Sequence, residues 1–402
     1  MTSNVTSKLS ANAPVGLAPR GGLQPAQHGV LAFAVLALAG TALVAFQFGW
    51  RLGIATLIGA LAGFSLYHAA FGFTSAWRRV VTERRGAGLR AQMLLFVVVC
   101  AVSYPLLAIG TAGLPDGFRA GGFVFPFGVA AAIGAFLFGM GMQFGGGCGS
   151  GTLFTAGGGS SRMVVTLAAF IAGSLIATAH LPWWNTLPRF QAVSIVRAFG
   201  PAMALAALFA FAALVWWTTA VIERRAHGRL EQRRETESLL KGPWALWLGV
   251  AGLAVVSLAT ILLLGRPWGI TSAFALWGAK IAVISGVDIA AWPYWSGQVG
   301  RLERSVFSDA TSVMNFGIIW GAMIAAALAA RFKPVRTLTH KDVLTAIIGG
   351  LAMGYGARLA YGCNIGAYLG GIVSGSLHGW WWAVFAFAGS SITAVWRKRT
   401  GI

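Results

Sequence analysis

Long apolar runs, separated by short polar segments, recur along the chain from about residue 30 to the C-terminus. A transmembrane helix needs about 20 consecutive apolar residues. The runs near that length are 30–50, 52–77, 91–110, 163–181, 202–222, 244–264, 270–285, 314–330, 343–359 and 380–396. This pattern predicts an all-α polytopic membrane protein. The composition agrees, since 57% of the residues are hydrophobic and 10% are charged.

Two glycine-rich stretches, 139–153 and 354–366, interrupt this apolar pattern, and each carries one cysteine, Cys148 or Cys363. So much glycine disfavours a continuous helix. We therefore predict broken or re-entrant helices, which a membrane tolerates where protein or water surrounds them. Aligning the two cysteines also pairs two sets of glycines, Gly139 with Gly354 and Gly141 with Gly356. Such paired interruptions indicate a substrate site.

The net charge of +20 resides mostly in short basic clusters between the apolar runs. The clusters at 78–90, 331–341 and 397–399 are typical of cytoplasmic loops. The basic charge therefore indicates membrane topology. A nucleic-acid partner is not expected, because the chain has no basic-aromatic motif and no soluble domain to carry one.

The most charged segment, 223–241, contains five arginines and four glutamates in a helical pattern. It predicts a cytoplasmic linker between a first transmembrane half, 30–222, and a second, 242–402. Residues 1–29 contain no acidic residue and are typical of a flexible cytoplasmic tail.

The two cysteine stretches are predicted to have opposite orientations. The helix before Cys148 follows an outer loop, whereas the helix before Cys363 follows the basic cluster at 331–341. We therefore expect two pseudo-symmetric, inverted halves with the site near the middle of the membrane.

The residues around the two thiols suit an anion that contains sulfur. Glycines at 147, 149 and 362 leave backbone N–H groups free to form an anion-binding concavity. A thiol is a weak, polarisable donor and acceptor that suits sulfur better than a hard oxyanion. The alternative is that Gly147, Gly149 and Gly362 permit close helix packing and that both cysteines fill space.

Several polar residues in apolar surroundings are further candidates. Arg358 could offset the charge of an anion, or its side chain could extend to the interface. Asn364 and Gln143 could donate amide N–H groups to an anion or bridge helices. Lys280 is a weaker candidate for the role of Arg358. His378 could respond to protons or act as an interface residue.

Metal and redox cofactors are not expected, because the sequence contains no CxxC motif, no HExxH motif and no histidine-cysteine cluster. The three cysteines are an odd number, so at least one thiol is free. Cys100 lies in an unbroken valine-rich run, and we interpret it as a packing residue.

These motifs resemble the YeeE/YedE family of sulfur-compound transporters. The resemblance rests on the residues 141–153, 356–366 and 376–380, and the segment 267–274 also looks familial. It implies an inner-membrane, helical, pseudo-symmetric carrier that imports thiosulfate. Cys148 and Cys363 match two of the family's cysteines, between which the anion passes by S–H···S hydrogen bonds. A cytoplasmic sulfur carrier of the TusA type is an implied partner.

One position departs from the family pattern. The family has a further cysteine between two phenylalanines, and here Gly72 occupies that position between Phe71 and Phe73. Gly72 cannot relay a substrate through a side chain. A relay that is one thiol shorter leaves open a different sulfur or selenium compound as the substrate.

We therefore predict a non-enzymatic importer of thiosulfate, with Cys148 and Cys363 contacting the substrate in turn. Three alternatives remain open: a sulfurtransferase that carries a cysteine persulfide, a passive anion channel and a structural membrane subunit. The sequence contains no ATP-binding motif.

Overall fold

The chain folds into a bundle of long helices with short helices between them, and the computed structural model describes residues 25–232, 234–334 and 337–401. The helices are α1 (Pro25–Phe48), α2 (Trp50–Ala69), α3 (Phe73–Glu83), α4 (Ala87–Ile109), α5 (Val129–Gly145), α6 (Gly149–Gly157), α7 (Ser161–Trp184), α8 (Ile195–His227), α9 (Leu246–Leu264), α10 (Thr271–Ile284), α11 (Pro293–Ser296), α12 (Val299–Glu303), α13 (Ala310–Leu328), α14 (His340–Leu359), α15 (Gly370–Val373) and α16 (Leu377–Thr400). The remaining elements are two 3₁₀ helices (Thr111–Gly113, Val306–Ser308), a π-helix (Asn364–Leu369) and the antiparallel strands β1 (Phe127–Gly128) and β2 (Arg189–Phe190).

Nine helical segments within the described ranges are long and apolar enough to cross a membrane. The prediction of an all-α polytopic membrane protein is thereby confirmed. Most of the predicted tail, residues 1–24, lies outside the described residues, as does Arg336 of the basic cluster 331–341. The last residues of that tail belong to α1, which begins at Pro25.

The charged segment 223–241 differs from its predicted helical structure. Its first residues complete α8, which ends at His227 with Gly228 in the left-handed region as its cap. The described residues between α8 and α9 form turns and irregular backbone. Gly228 and Pro243 flank this stretch, and both residue types disfavour helix continuation.

Four long helices, α2, α5, α9 and α14, are each followed by a sharp turn and then a short helix. Each turn contains a residue in the left-handed region: Ala70, Gly146, Gly265 and Tyr361. A left-handed residue ends a helix and redirects the chain. The short helices that follow are α3, α6, α10 and the π-helix that continues into α15.

The long helices approach one another closely where glycines face a neighbouring backbone. A Cβ atom added at Gly356 of α14 would lie 2.8 Å from the backbone nitrogen of Phe138 in α5. A Cβ at Gly141 would lie 2.8 Å from the carbonyl oxygen of Gly349. Gly139 and Gly354 lie in similar backbone contacts with α16 and α7. These paired glycines therefore serve helix packing, as small residues commonly do in membranes.

The carboxylate of Glu223, near the end of α8, holds the turn between α3 and α4. It lies 3.3 Å from Arg85 Nη1 and 2.7 Å from Arg90 Nη2. It also accepts hydrogen bonds from the backbone N–H groups of Gly86 and Glu231. The Glu223 side chain is fully buried. This one carboxylate therefore connects α8, the α3–α4 turn and the segment after α8.

Candidate functional site

Cys148 lies directly before α6, in the turn that follows α5. Gly146 makes this turn possible, because its φ of +86° lies in the left-handed region that favours glycine. Cys148 is the N-cap residue of α6 and is 2% exposed. Its Sγ atom lies 3.4 Å from Ser150 Oγ, in the first turn of the same helix. The thiol is thus buried at the amino end of a short helix.

Cys363 occupies the corresponding place after α14. It is the N-cap of the π-helix and is fully buried. The backbone N–H of Ile365 donates to its Sγ atom over 3.4 Å. The residue before it, Gly362, has a φ of +156°, and a Cβ atom there would lie 2.9 Å from the nitrogen of Ala367. Glycine is therefore needed at 362 for close packing as well as for its backbone conformation.

The loops of the two cysteines contact each other. A Cβ atom added at Gly149 would lie 3.0 Å from Cys363 Sγ and 3.4 Å from Ile270 Cγ2. The sulfur of Cys363 therefore packs on the backbone of the residue that follows Cys148. The backbone of Gly147 lies close to that of Gly151, since a Cβ atom added at Gly147 would lie 3.1 Å from the carbonyl carbon of Gly151. The structure thus brings Cys148, Gly149 and Cys363 together.

The amide of Asn364, next to Cys363, is fully buried. Neither Asn364 Nδ2 nor Asn364 Oδ1 has a hydrogen-bond partner among the described residues. A buried amide of this kind is rare, because each unsatisfied polar atom costs about 1–3 kcal/mol. Asn364 is therefore the predicted site residue whose whole amide is left unpaired by the described residues.

Three further residues near this site were missed as candidates from the sequence. Ile270 contacts the site directly, as described above, and Asn315 Nδ2 donates to the Ile270 carbonyl over 3.0 Å. Trp268, in the same turn, is 2% exposed, and its Nε1 has no partner in the described part of the chain. The segment 267–274 resembled the family, but nothing in it indicated a contact with Cys363.

Gln143 and Arg358 lie apart from this contact. Gln143 Nε2 donates to the Thr74 carbonyl over 3.3 Å and to Ser390 Oγ over 2.8 Å, so its amide bridges helices. Arg358 is partly buried and donates to Tyr294 Oη and Thr271 Oγ1. Arg358 therefore connects the end of α14 to the start of α10 and to α11.

The other residues singled out have local partners. Cys100 Sγ lies 3.8 Å from the Ile372 carbonyl, at the end of α15, and not at the cysteine loops. Lys280 Nζ donates to the carbonyls of Leu302 and Arg304. His378 Nδ1 lies 2.7 Å from Ser376 Oγ. Cys100 and Lys280 thus support the packing of loops and helix ends.

Gly72, at the position of the family's further cysteine, is the N-cap of α3. A Cβ atom there would collide with Ser75 Oγ unless that hydroxyl moved. The Ser75 hydroxyl donates to the carbonyl of Gly72 itself over 3.2 Å. A local hydroxyl therefore occupies the space that a side chain at residue 72 would need.

Comparison with known proteins decides the family. A model of the family described as "Sulphur transport" matches residues 68–392. This chain belongs to that family, the YeeE/YedE family. The resemblance noted from the cysteine motifs is thereby confirmed. Together with the apolar helices, it makes the protein a multi-pass membrane protein of the sulphur-transport family.

Two kinds of relative are similar to this sulphur-transport family member. A "Thiosulfate transporter TsuA" from Spirochaeta thermophila is 27% identical over 366 residues, which are 83% of this chain and 95% of that protein. The TsuA of Escherichia coli K12 is 25% identical over 359 residues. A "Probable transporter YedE" from the same strain is 33% identical over 147 residues, and the match spans 36% of that relative's length.

Proposed function

We propose that this protein imports thiosulfate and passes it between the thiols of Cys148 and Cys363. The observation that carries the proposal is the contact between the two cysteine loops. Cys148 and Cys363 are both buried, and each directly precedes a short helix. The sulfur of Cys363 packs against the backbone of Gly149, the residue that follows Cys148. The similarity to thiosulfate transporters over most of the chain supports the choice of substrate.

The site could hold an anion without a full positive charge. The first backbone N–H groups of a helix lack partners within the helix, and the helix dipole favours an anion at that end. α6 and the π-helix both begin at a cysteine, so two such ends lie beside the thiols. Each S–H group is a weak, polarisable donor. The Asn364 amide adds an uncommitted N–H donor.

We also propose that the two halves form an inverted repeat. α5 packs against α14 and α16, and α14 packs in turn against α7. In the same way α2 packs against α9 and α13, while α9 packs against α4. If α2 corresponds to α9, α4 to α13, α5 to α14 and α7 to α16, the α5–α16 contact corresponds to the α14–α7 contact. The α2–α13 contact then corresponds to the α9–α4 contact. The pairing favours a repeat boundary between α7 and α8, before the charged segment 223–241 that the sequence indicated as the linker.

Uptake of sulfur-labelled thiosulfate tests the substrate. Cells that lack their own thiosulfate uptake systems should accumulate the label when they express this protein. Unlabelled thiosulfate should compete with the label, and equimolar sulfate should not, because sulfate lacks the terminal sulfur that a thiol favours. If cells expressing the protein accumulate no label, the substrate assignment is wrong, and selenium and other sulfur anions become the next candidates.

A membrane-bound sulfurtransferase is the competing function. It requires a thiolate that can attack a sulfur donor and carry a persulfide. The near-complete burial of Cys148 and Cys363 favours transport, because a macromolecular acceptor cannot reach them. Intact-protein mass spectrometry after incubation with thiosulfate separates the two functions: a persulfide on either thiol would support the sulfurtransferase.

Asn364→Leu should lower thiosulfate uptake about 10- to 100-fold, as expected when a hydrogen bond of about 1.5–3 kcal/mol to an anion is lost. It should also leave the melting temperature in detergent unchanged or higher, because it removes two unsatisfied buried polar atoms. Asn315→Leu is the matched control, since Asn315 already donates to Ile270 and its loss should lower the melting temperature. Normal uptake by Asn364→Leu would remove Asn364 from the site.

A cytoplasmic sulfur carrier of the TusA type remains a proposed partner, and the family resemblance alone supports it. Such a carrier would consume the imported sulfur and so maintain the inward flux. Co-purification of the carrier with the membrane protein, compared with an unrelated membrane protein, tests this partner.

A further inference from the structure

A cleft of about 1420 Å³ opens where the basic clusters 78–90 and 397–399 lie, on the side of the fold that the positive-inside rule predicts to be cytoplasmic. Its walls come from α3, α4, the second half of α8 and the start of α9, with residues 230–232, Arg234 and the end of α16 at one end. α8 and α9 both pack on α4, but in the described ranges they do not pack closely on each other. The cleft therefore separates two membrane-spanning helices, and none of its lining residues belongs to the loops of Cys148 and Cys363.

One part of the cleft is apolar and faces outward. Leu94, Phe209, Trp216 and Trp247 line it and are 45%, 43%, 48% and 60% exposed. All four lie on membrane-spanning helices. Apolar side chains exposed there contact lipid chains instead of water, and tryptophans commonly lie near the membrane interface. This part of the cleft therefore fits hydrocarbon.

The other part is strongly basic. Its lining includes six cationic and two acidic residues, an excess of four positive charges: Arg78, Arg79, Arg90, Arg234, Arg397 and Lys398 with Glu83 and Glu231. Arg79 pairs with both of the acidic residues. Both acidic side chains are therefore engaged by one arginine, and the lining as a whole keeps its positive excess.

Some of these guanidinium groups lack a partner. The Arg78 side chain makes no hydrogen bond or ion pair with any residue that the structure describes. Two buried nitrogen atoms, Arg90 Nη1 and Arg234 Nη2, also have no hydrogen-bond partner within the described segments, although Arg90 Nη2 is ion-paired with Glu223. Burial, with a contribution from the charge of Arg331, holds the pKa of Arg234 below its usual range. An anion would satisfy these donors.

We propose that this cleft binds an anionic phospholipid of the cytoplasmic leaflet. The acyl chains would occupy the apolar part between α8 and α9, and the phosphate would meet Arg78 and Arg234. Charge complementarity selects this occupant over a zwitterionic lipid, since each Arg or Lys near an anionic headgroup contributes favourably. The apolar wall selects it over a small free anion. This inference does not rest on the proposed transport function.

Native mass spectrometry of the full-length protein in neutral detergent tests the proposal. Phosphatidylglycerol and phosphatidylcholine with identical acyl chains are titrated separately. Phosphatidylglycerol should bind more tightly, and Arg78→Gln and Arg234→Gln should each weaken its binding about fivefold. Arg225→Gln is the matched control, because Arg225 is an exposed cytoplasmic arginine that does not line the cleft. Equal binding of the two lipids by the wild type would overturn the proposal.

A second pair of variants keeps every charge and changes the apolar part. Ala213 lines the cleft, whereas Ala210, which is also exposed on α8, does not. Ala213→Trp should reduce phosphatidylglycerol binding, and Ala210→Trp should not. If both variants bind normally, or if inorganic phosphate alone displaces the lipid, the site takes a small anion and the lipid assignment is wrong.

Discussion

Thiosulfate uptake should fall about 10- to 100-fold in Cys148→Ser and in Cys363→Ser, the range expected when hydrogen bonds of about 1.5–3 kcal/mol to a charged ligand are lost or weakened. Serine keeps a donor of similar size, but its oxygen is hard and does not match the terminal sulfur of thiosulfate. Each cysteine caps a short helix, and a serine can cap in the same way. The loss should therefore come from chemistry and not from misfolding.

Cys100→Ser is the matched control for this pair. Cys100 is also fully buried, and its thiol contacts the Ile372 carbonyl, an interaction that a serine hydroxyl can replace. Uptake should stay near the wild-type level at matched expression. Normal uptake by both Cys148→Ser and Cys363→Ser would show that these thiols only fill space. The proposal that thiosulfate passes between them would then be wrong.

The second large effect concerns stability. Glu223→Gln should destabilise the protein by about 3–5 kcal/mol, the cost of breaking a buried ion pair by removing one partner. The neutral amide leaves Arg85 and Arg90 without their counter-charge, and its one oxygen cannot accept all four hydrogen bonds that the carboxylate now accepts. The melting temperature in detergent should drop clearly.

Glu83→Gln provides the comparison for Glu223. Glu83 pairs with Arg79 at 2.9 Å, but its side chain is 49% exposed. An exposed pair contributes about 0–1 kcal/mol, so this variant should melt close to the wild type. Equal melting temperatures for the two variants would mean that Glu223 is not the stabilising connection between α8 and the α3–α4 turn.

Much of the topology was predictable because membrane insertion depends on local properties of the chain. Apolar length predicted most of the membrane-spanning helices, since bilayer thickness acts on each segment separately. The run 270–285 instead forms the shorter helix Thr271–Ile284, and the run 52–77 is broken at Ala70.

The helical pattern expected for 223–241 was wrong beyond His227. Charge spacing suggested a helix, but a left-handed glycine ends α8, and the following chain bonds to Glu223.

The candidate site was only partly predictable. Cys148 and Cys363 were identified because glycine-rich turns around a thiol are rare in an apolar chain. Gln143 looked equally plausible, and only the fold shows that its amide nitrogen donates to Thr74 and Ser390, while its oxygen has no partner among the described residues. Nothing in the sequence indicated Trp268 as a site residue, because an aromatic residue beside Pro and Gly is common at a membrane interface.

The sequence by itself determined that this is a polytopic membrane protein with two unusual thiol loops. Only the tertiary structure decided that the Cys363 sulfur lies on Gly149, that Asn364 is left unpaired, and that a basic cleft opens between α8 and α9. The physical reason is that membrane helices are apolar on nearly all faces. Their sequences therefore do not indicate which faces meet, and that pairing is set by close backbone packing between residues far apart in the chain.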